Sequence, residues 1–313
     1  MPFRLIALTA AVLAVLFSRS AATDERTSLS VEGATIAVEW DDALKPITPQ
    51  WRAWVESSAR TVARFYGRFP TDHLSLRLDA GSRGGVGGGR TTNYDGAEIT
   101  LSVGSATTRK QFADDWVLVH EMIHLALPEV GRRHNWLAEG LATYIEGIAR
   151  AQAGTRPVTD VWSEFRRSMP VGLPKPGEGG LDQTRTWART YWGGAGFCLQ
   201  ADVSIREQSG NRFSLRDALI GILKATGGYA GPSAPRGVDI DEVFRVGDEA
   251  THTRVLTDLY ARMKESPDAP DLTALFERLG VRGGGEAVEF DEHAPLATIR
   301  AAMTGGAPTP VRR

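Results

Sequence analysis

The chain has 313 residues, of which 42% are hydrophobic and 24% charged, and its formal net charge is −2. These proportions are ordinary for a globular protein, and the length allows one large or two modest domains. Nothing in the charge indicates a nucleic-acid partner, because such proteins carry strongly basic surfaces. The single cysteine, Cys198, excludes an internal disulfide, and its apolar neighbours predict a buried, inert thiol.

The first 22 residues form a pattern of their own. Arg4 precedes an apolar run from Leu5 to Phe17, and small residues ending at Ala22 follow it. A charged start, a short apolar stretch and small residues are typical of a cleaved secretory signal peptide. We therefore expect a secreted or periplasmic protein. An uncleaved signal that anchors the chain in a membrane is the less favoured alternative, since the run is short for a span.

The predicted elements up to residue 104 are strands and one helix. Alternating apolar residues predict three strands, at 28–40, 73–79 and 97–103. Thr48-Pro49 is a helix-start signal, and its helix should bury a set of apolar side chains: Trp51, Trp54, Val55, Ala59, Val62 and Phe65. The glycine-rich segment 81–89 lacks both the dinucleotide pattern and the Gly-Lys pair of a P-loop, so we expect a flexible loop.

The next segment contains His120-Glu121-Met122-Ile123-His124. On a helix, histidines four residues apart place both imidazoles on one face, one turn apart. That separation suits two nitrogen ligands of a tetrahedral zinc ion. Glu121 points about 100° away around the helix. It is then placed beside a metal-bound water, where a general base belongs.

The flanks of this motif predict a buried helix from Phe112 to Leu127, ended by Pro128, because apolar residues occupy all of its sides. A core helix whose histidines are satisfied by hydrogen bonds is the alternative. We favour the metal, because burying His120, Glu121 and His124 without a partner for each is costly.

The third ligand is predicted on the following helix, for which Asn135 is the expected N-cap and which should end near Gly154. Glu139 lies one turn into it, and a short connection can bring its carboxylate to His124. His134 is the rival ligand, but it does not fit the metzincin spacing, in which the third histidine comes six residues after the second.

Residues 155–189 are rich in proline, glycine and tryptophan, and we expect a long surface excursion there. The remainder is mostly helical, with predicted helices opening at Thr190 and Ser214 and over 239–244, 251–263, 272–279 and 296–303, and a strand at 287–290. Strands before helices indicate the α+β class. We divide the mature chain into an N-terminal α+β lobe, 23–154, and a helical lobe, 155–313.

Two runs together resemble a known family. His120-Glu121-x-x-His124 followed by Trp136-Leu-Ala-Glu139-Gly-Leu-Ala-Thr-Tyr144 is similar to the gluzincin zinc metallopeptidases, in the aminopeptidase-like branch. The glycyl-aminopeptidase or peptidase MA-like group looks closest. Tyr191-Trp-Gly-Gly and Ala294-Pro-Leu-Ala-Thr-Ile-Arg300 also resemble that group, so the likeness covers most of residues 107–303.

The resemblance implies a thermolysin-like zincin domain, with a small N-terminal mixed sheet and a helical C-terminal lobe. It also implies Zn²⁺ as cofactor and a peptide or protein as substrate. By analogy with the family, Tyr191 is the candidate donor to the oxyanion of the reaction; a packing tyrosine is the alternative. Gly96-Ala97-Glu98 resembles the family motif whose glutamate binds a free amine, which makes Glu98 a candidate substrate contact on an open strand edge.

These features predict a secreted zinc peptidase, with an aminopeptidase slightly favoured over an endopeptidase. A non-catalytic binding protein with a zincin fold is the rival from another class, and Glu121 speaks against it because a binding site has no use for a base. Glu146 has two interpretations. It either orients a metal ligand or forms a surface pair with Arg150.

Overall fold

A computed structural model of the chain describes residues 25–82, 84–232, 236–267, 270–283 and 287–305. The predicted signal peptide, residues 1–22, lies outside these ranges. Among the described residues, no helix is both long and apolar enough to cross a membrane. Strands dominate the first third of the chain and helices the rest, which is the predicted order.

The described residues contain two sheets and a series of helices. The strands are β1 (Glu25–Val31), β2 (Ala34–Trp40), β3 (His73–Gly81), β4 (Val86–Thr92), β5 (Glu98–Gly104), β6 (Val281–Arg282) and β7 (Glu289–Phe290). The helices are α1 (Thr48–Tyr66), α2 (Arg109–Asp114), α3 (Val117–His124), α4 (Asn135–Ala153), α5 (Val158–Ser168), α6 (Gly194–Ser209), α7 (Leu215–Thr226), α8 (Ile240–Thr251), α9 (Val255–Met263), α10 (Leu272–Arg278) and α11 (Ala297–Thr304).

The main sheet is mixed, with the strand order β1-β2-β3-β5-β4. Strands β2, β3 and β5 run parallel, whereas β1 and β4 are antiparallel to their neighbours. The single strand predicted over 28–40 is wrong, because the chain reverses there. Glu32 and Gly33 have φ values of 49° and 84°, and two consecutive positive φ angles make the tight turn of a β-hairpin.

The glycine-rich segment also differs from its prediction. Instead of a flexible loop, its second half, residues 86–89, begins β4, which pairs with β5 at the edge of the sheet. Glycines weaken a strand unless another group must approach its backbone closely. Because β4 covers β5, the open edge predicted for 97–103 belongs to β4 instead.

One face of the sheet packs under α1 and α3. The apolar residues of β3 and β5 that point to this face are at most 2% exposed: Leu74, Leu76, Leu78, Ile99, Leu101 and Val103. All six side chains predicted to point inward from α1 are buried, and Trp51 contacts Trp40 of β2 with 4.9 Å between ring centroids. The sheet and α1 thus form the base on which α3 rests.

The helix predicted over 112–127 is interrupted. Asp115 has an extended backbone, with ψ of 139°, and it separates α2 from α3. Its carboxylate accepts hydrogen bonds from the N–H groups of Val117 and Leu118 at 3.1 and 3.2 Å and from the Trp54 indole at 3.0 Å. Aspartate before a helix satisfies free N–H groups in this way. At the other end, α3 stops at His124 rather than at Pro128.

The excursion predicted over 155–189 is wrong in its first part. Residues 158–168 form α5, in which Val161, Trp162 and Phe165 are fully buried. The Phe165 ring stacks on Tyr144 of α4, with 5.4 Å between the centroids. Apolar residues at 158, 161, 162 and 165 have the spacing of a helix. The prediction missed this spacing because prolines and glycines surround the segment. The division into lobes at residue 154 stays a prediction.

Helices α4 and α6 cross at backbone contact. A Cβ added to Gly140 would lie 2.3 Å from the backbone carbon of Gly194, and one added to Gly194 would lie 2.2 Å from the carbonyl oxygen of Trp136. Such distances cannot accommodate a methyl group without moving a helix. Since Gly140 follows Glu139, the crossing fixes the height and rotation of Glu139 in the fold.

We predict that Gly140→Ala lowers the free energy of unfolding by roughly 1–3 kcal/mol, because overpacking shifts the backbone. Gly196→Ala, on the partner helix α6, is the matched control, since its added methyl group would meet no atom within 4 Å. The control should be neutral or stabilising by up to about 1 kcal/mol, as alanine is the better helix former. Urea unfolding of both variants measures the difference, and equal midpoints would contradict the crossing.

Candidate metal centre

Three donor side chains converge where α3 and α4 meet. The Nε2 atoms of His120 and His124 lie 3.3 and 3.6 Å from the same carboxylate oxygen, Oε2 of Glu139. The two imidazole rings are nearly perpendicular, with centroids 4.9 Å apart. Among the described residues, this is the one group of three or more potential metal ligands whose donor atoms all lie within 4.8 Å of one another.

The distances fit a tetrahedral metal ion. Zinc bonds of 2.0–2.1 Å imply ligand-to-ligand edges of about 3.3–3.4 Å, which the two N···O distances approach. Burial lowers the pKa of His124 to about 4, so the imidazole is neutral and keeps a lone pair for a metal. Burial raises the pKa of Glu139, but its contacts with His120 and His124 outweigh this and lower the pKa overall. The donor set therefore suits Zn²⁺.

Glu121 lies beside these donors but interacts with another element. Its carboxylate accepts a hydrogen bond from the Thr91 hydroxyl at 2.7 Å, and its backbone carbonyl lies 3.0 Å from the same hydroxyl. Burial is the main reason why the pKa of Glu121 is raised. A buried carboxyl of raised pKa, held in one orientation, has the properties of a general base.

Strand β4 supplies the residues that the sequence analysis missed. A Cβ at Gly89 would lie 2.6 Å from Cγ of Glu121 and 2.7 Å from Leu101. The strand can therefore pass Glu121 only with glycine at this position, and Thr91, two residues on, then reaches the carboxylate. The sequence did indicate a strand here, since Val86, Gly89 and Thr91 lie in a short run before the turn at 93–96. The indication was weak because glycine has no side chain and so interrupts the alternation that is typical of a strand.

Tyr191 lies across the donors from α3. It is on a π-helical turn, Arg189–Gly193, that leads into α6. Its hydroxyl is close enough to Glu139 to interact with that carboxylate, and its ring stacks on His120 at 6.2 Å between centroids. Burial and the neighbouring Glu139 carboxylate raise the Tyr191 pKa to about 12, so the phenol keeps its proton and can donate it in a hydrogen bond.

The rival ligand His134 points elsewhere. Its Nδ1 lies 2.9 Å from Oδ1 of Asp182, a buried carboxylate that also accepts hydrogen bonds from Trp136 and Tyr260. Asn135 was the predicted N-cap, but it is the first residue of the helix, and the N-cap is His134, whose side chain makes no capping hydrogen bond. The predicted N-cap is therefore wrong by one residue, and His134 ties the start of α4 to Asp182.

Glu146 forms an ion pair with Arg150, which was the second of its two interpretations, but the pair is buried and not at the surface. The carboxylate is 5% exposed and contacts Arg150 at 2.7 Å and Arg156 at 3.4 Å. Arg150 also donates to the carbonyls of Ala113 and Asp114 at the end of α2. This ion pair thus joins α2, α4 and α5.

Glu98 is not brought to the donors. It pairs with Thr92 in the β4–β5 ladder, next to the pair formed by Thr91 and Ile99. Residues adjacent along a strand point to opposite faces of a sheet. Thr91 and Ile99 face α3 and the core, so Glu98 faces the other side and does not line the cleft. The amine-binding role predicted for Glu98 loses its geometric basis.

The cleft over the donors has a volume of about 270 Å³. Besides the donors, Glu121 and Tyr191, it is lined by residues of β4, of the α3–α4 connection and of the later chain, including Arg90, Glu129, Arg132 and Tyr229. A larger cavity of about 470 Å³ lies between α1 and α2 but contains none of the donors. The chemistry of the lining, rather than size, identifies the candidate site.

The fold is that of known zinc peptidases. It is similar to an aminopeptidase N family protein from Idiomarina loihiensis, with a TM-score of 0.57 and 12% identity, over 83% of this chain and 49% of that one. It is also similar to an M1 zinc metallopeptidase of Deinococcus radiodurans, with a TM-score of 0.52 and 15% identity, over 80% of this chain and 54% of that one.

At these identities the likeness establishes the fold alone. The chain spans about half the length of these two proteins. It matches no protein-family model and no curated protein. The architecture is thus that of the M1 peptidase domains, and the activity has to be argued from the site.

We predict about one zinc ion per chain after loading with Zn²⁺ and dialysis, because three convergent donors form one site. His120→Ala, His124→Ala and Glu139→Ala should each lose it, whereas His134→Ala, the matched histidine control, should retain it. Metal content by mass spectrometry measures this. Zinc that persists in Glu139→Ala but is lost from His134→Ala would reverse the ligand assignment.

Proposed function

We propose that this chain is an exported zinc peptidase that hydrolyses peptide bonds, with His120, His124 and Glu139 as metal ligands and Glu121 as general base. One observation carries the proposal. Three donors at tetrahedral spacing stand beside a buried carboxylate that is hydrogen-bonded to Thr91 and does not belong to the donor set. Metal hydrolases need this combination of an open coordination position and a nearby base.

The residues divide the reaction between them. Bound zinc would polarise the peptide carbonyl and lower the pKa of a water molecule. Glu121 takes a proton from the attacking water, whose oxygen bonds to the carbonyl carbon. As the C–N bond breaks, Glu121 returns the proton to the leaving nitrogen. Tyr191 keeps its phenolic proton and donates a hydrogen bond to the oxygen on which negative charge develops.

Thr91 keeps the base in position during this transfer. Its hydroxyl donates to Oε2 of Glu121, so the other oxygen, Oε1, stays available for the water. A Cβ added to Gly89 would lie 2.9 Å from Oε1 of Glu121. A larger residue at 89 would fill the space that the water has to use.

An aminopeptidase is the favoured form of this activity. A similar fold is described as an aminopeptidase N family protein. With Glu98 on the far face of the sheet, the acid that remains in the cleft outside the donors and base is Glu129, which is exposed and interacts with Tyr229. A carboxylate there favours the binding of substrates that have a free N-terminal ammonium group.

Endopeptidase activity is the second candidate, and the open edge of β4 favours it. An extended peptide can pair with that edge through backbone hydrogen bonds at both ends of the cleaved bond. Peptides tested with free and with acetylated N-termini separate the two forms. Faster cleavage of the free peptides identifies an aminopeptidase, and equal rates identify an endopeptidase.

A binding protein without activity fits less well. Burying an ionised Glu121 is costly, and among the described residues the Thr91 hydroxyl is the one hydrogen-bond donor to its carboxylate. Such a group is retained where it exchanges protons. Export of the chain rests on residues 1–22 and is part of the proposal; the N-terminal sequence of the mature protein tests it.

We predict that Glu121→Gln retains zinc but loses at least about 10²-fold in turnover, because it removes the base without removing a ligand. Glu277→Gln, an exposed residue on α10, is the matched control and should hydrolyse peptides at the parental rate. A peptide library followed by mass spectrometry measures turnover, and metal content is measured in parallel. Parental turnover in Glu121→Gln would refute the mechanism.

We also predict that Thr91→Val lowers kcat by roughly tenfold or more while KM changes little, since a hydrogen bond to a charged group is lost. Valine keeps the shape of threonine, so the strand should remain in place. Thr91→Ser, which keeps the hydroxyl, should recover most of the kcat. If the valine variant turned over as fast as the parent, Thr91 would have no part in positioning the base.

A further inference from the structure

A second cavity, of about 460 Å³, lies on the other side of the donors from the cleft. The linings of the two spaces share His120 and Tyr191 and no other residue. These two side chains therefore form the wall between them. The cavity is therefore within reach of a side chain next to a carbonyl held at the donors.

The walls of the cavity are aromatic and partly uncovered. Trp187 is 64% exposed and Trp116 is 51% exposed, although large apolar side chains elsewhere in the described residues are mostly covered. Trp187 stacks on Tyr191 at 5.5 Å, and Trp116 meets His120 edge-on at 5.5 Å. Each indole thus contacts a residue of the site and leaves a face free for a ligand.

The charges of the cavity sort into a neutral floor and an acidic rim. In the floor, Glu146 and Glu164 pair with Arg150 and Arg156 at 2.7–3.4 Å. These four charges cancel.

The rim carries Asp114 and Asp160. Asp114 pairs with the exposed Lys110 at 2.6 Å, an arrangement of small energy at a surface. Asp160 lies within 3.4 Å of the Thr159 hydroxyl and makes no ion pair with any described residue. An acidic surplus therefore remains over the aromatic walls.

We propose that this cavity binds a basic side chain of the peptide, arginine above lysine, next to the bond that is cleaved. The assignment rests on the proposed peptidase function. A guanidinium stacks on a free indole face and pairs with a carboxylate at the same time, which neither a neutral nor an acidic side chain can do. The volume leaves room for a long side chain, and small residues would leave most of it unfilled.

A phenylalanine in the same place would gain the stacking but leave Asp160 without a partner. A glutamate would face the acidic surplus directly. The order arginine, phenylalanine, glutamate is therefore the signature of the cavity. If glutamate were preferred over arginine, Arg150 and Arg156, rather than the aspartates, would determine which charge the cavity binds.

Binding tests this order without relying on turnover. The zinc-loaded Glu121→Gln protein is titrated by calorimetry with alanine hexapeptides that carry one Arg, Phe or Glu at successive positions. At one position, the arginine peptide should bind about tenfold more tightly than the glutamate peptide and severalfold more tightly than the phenylalanine peptide. Equal affinities, or phenylalanine as the tightest, would overturn the proposal.

Two further substitutions locate the effect. Asp160→Asn should reduce the preference for arginine over phenylalanine about threefold, and Trp187→Ala should weaken both peptides. Asp258→Asn, an exposed aspartate on α9, is the matched charge control and should change neither. An arginine preference that survives both Asp160→Asn and Trp187→Ala would place the basic side chain elsewhere and overturn the assignment.

The same peptides separate this proposal from the proposed function. If the parental zinc-loaded chain cleaves none of them while the Glu121→Gln protein still prefers arginine, the peptidase proposal fails and the cavity assignment stands. If the parental chain cleaves peptides with no preference for arginine, the cavity assignment fails and the peptidase proposal stands.

Discussion

The site depends on one constraint, which is that two helices separated by a ten-residue connection, 125–134, must present their donors to a common point. The donors lie next to this connection, because His124 is the last residue of α3 and Glu139 lies in the first turns of α4. The connection itself is held by the later half of the chain. The carbonyls of Leu125 and Glu129 accept hydrogen bonds from Tyr229 and Val238.

The start of α4 is held in a similar way, by Asp182, and its middle by the crossing at Gly140. The buried carboxylate of Asp182 contacts His134 and Trp136 before the helix has completed a turn. Burying such a group is favourable only when its hydrogen bonds are complete. The helical part of the chain therefore does more than cover the sheet, because it fixes the position of the third donor.

Much of this arrangement could be predicted from local patterns. The spacing of His120 and His124 depends only on the pitch of a helix, and Glu139 follows from the helix after it. The inward face of α1 and the start of a helix at Ser214 are equally local and are confirmed. These features need no knowledge of which elements become neighbours.

The errors arose where a distant partner decides the structure. Asp115 interrupts a helix because Trp54, sixty-one residues earlier, shares its carboxylate. Gly87 and Gly89 lie in a strand at positions where Ser102 and Glu121 leave no room for a larger side chain. Glu98 was assigned to the cleft on a short motif, but the register of β4 against β5 turns it to the opposite face. A shift of one residue would reverse that result, and no local pattern states the register.

Tyr191 shows how one side chain serves both spaces around the donors. Its ring separates the cleft from the aromatic cavity and contacts Trp187, and its hydroxyl interacts with the Glu139 carboxylate. In the proposed mechanism, a side chain bound against Trp187 would press on the ring whose hydroxyl donates to the reacting oxygen. Because aromatic side chains have only two rotatable bonds, such contact would fix the ring at little entropic cost. The two proposals together therefore imply that occupying the cavity also orients the oxyanion donor, which would couple substrate selection to catalysis through Tyr191.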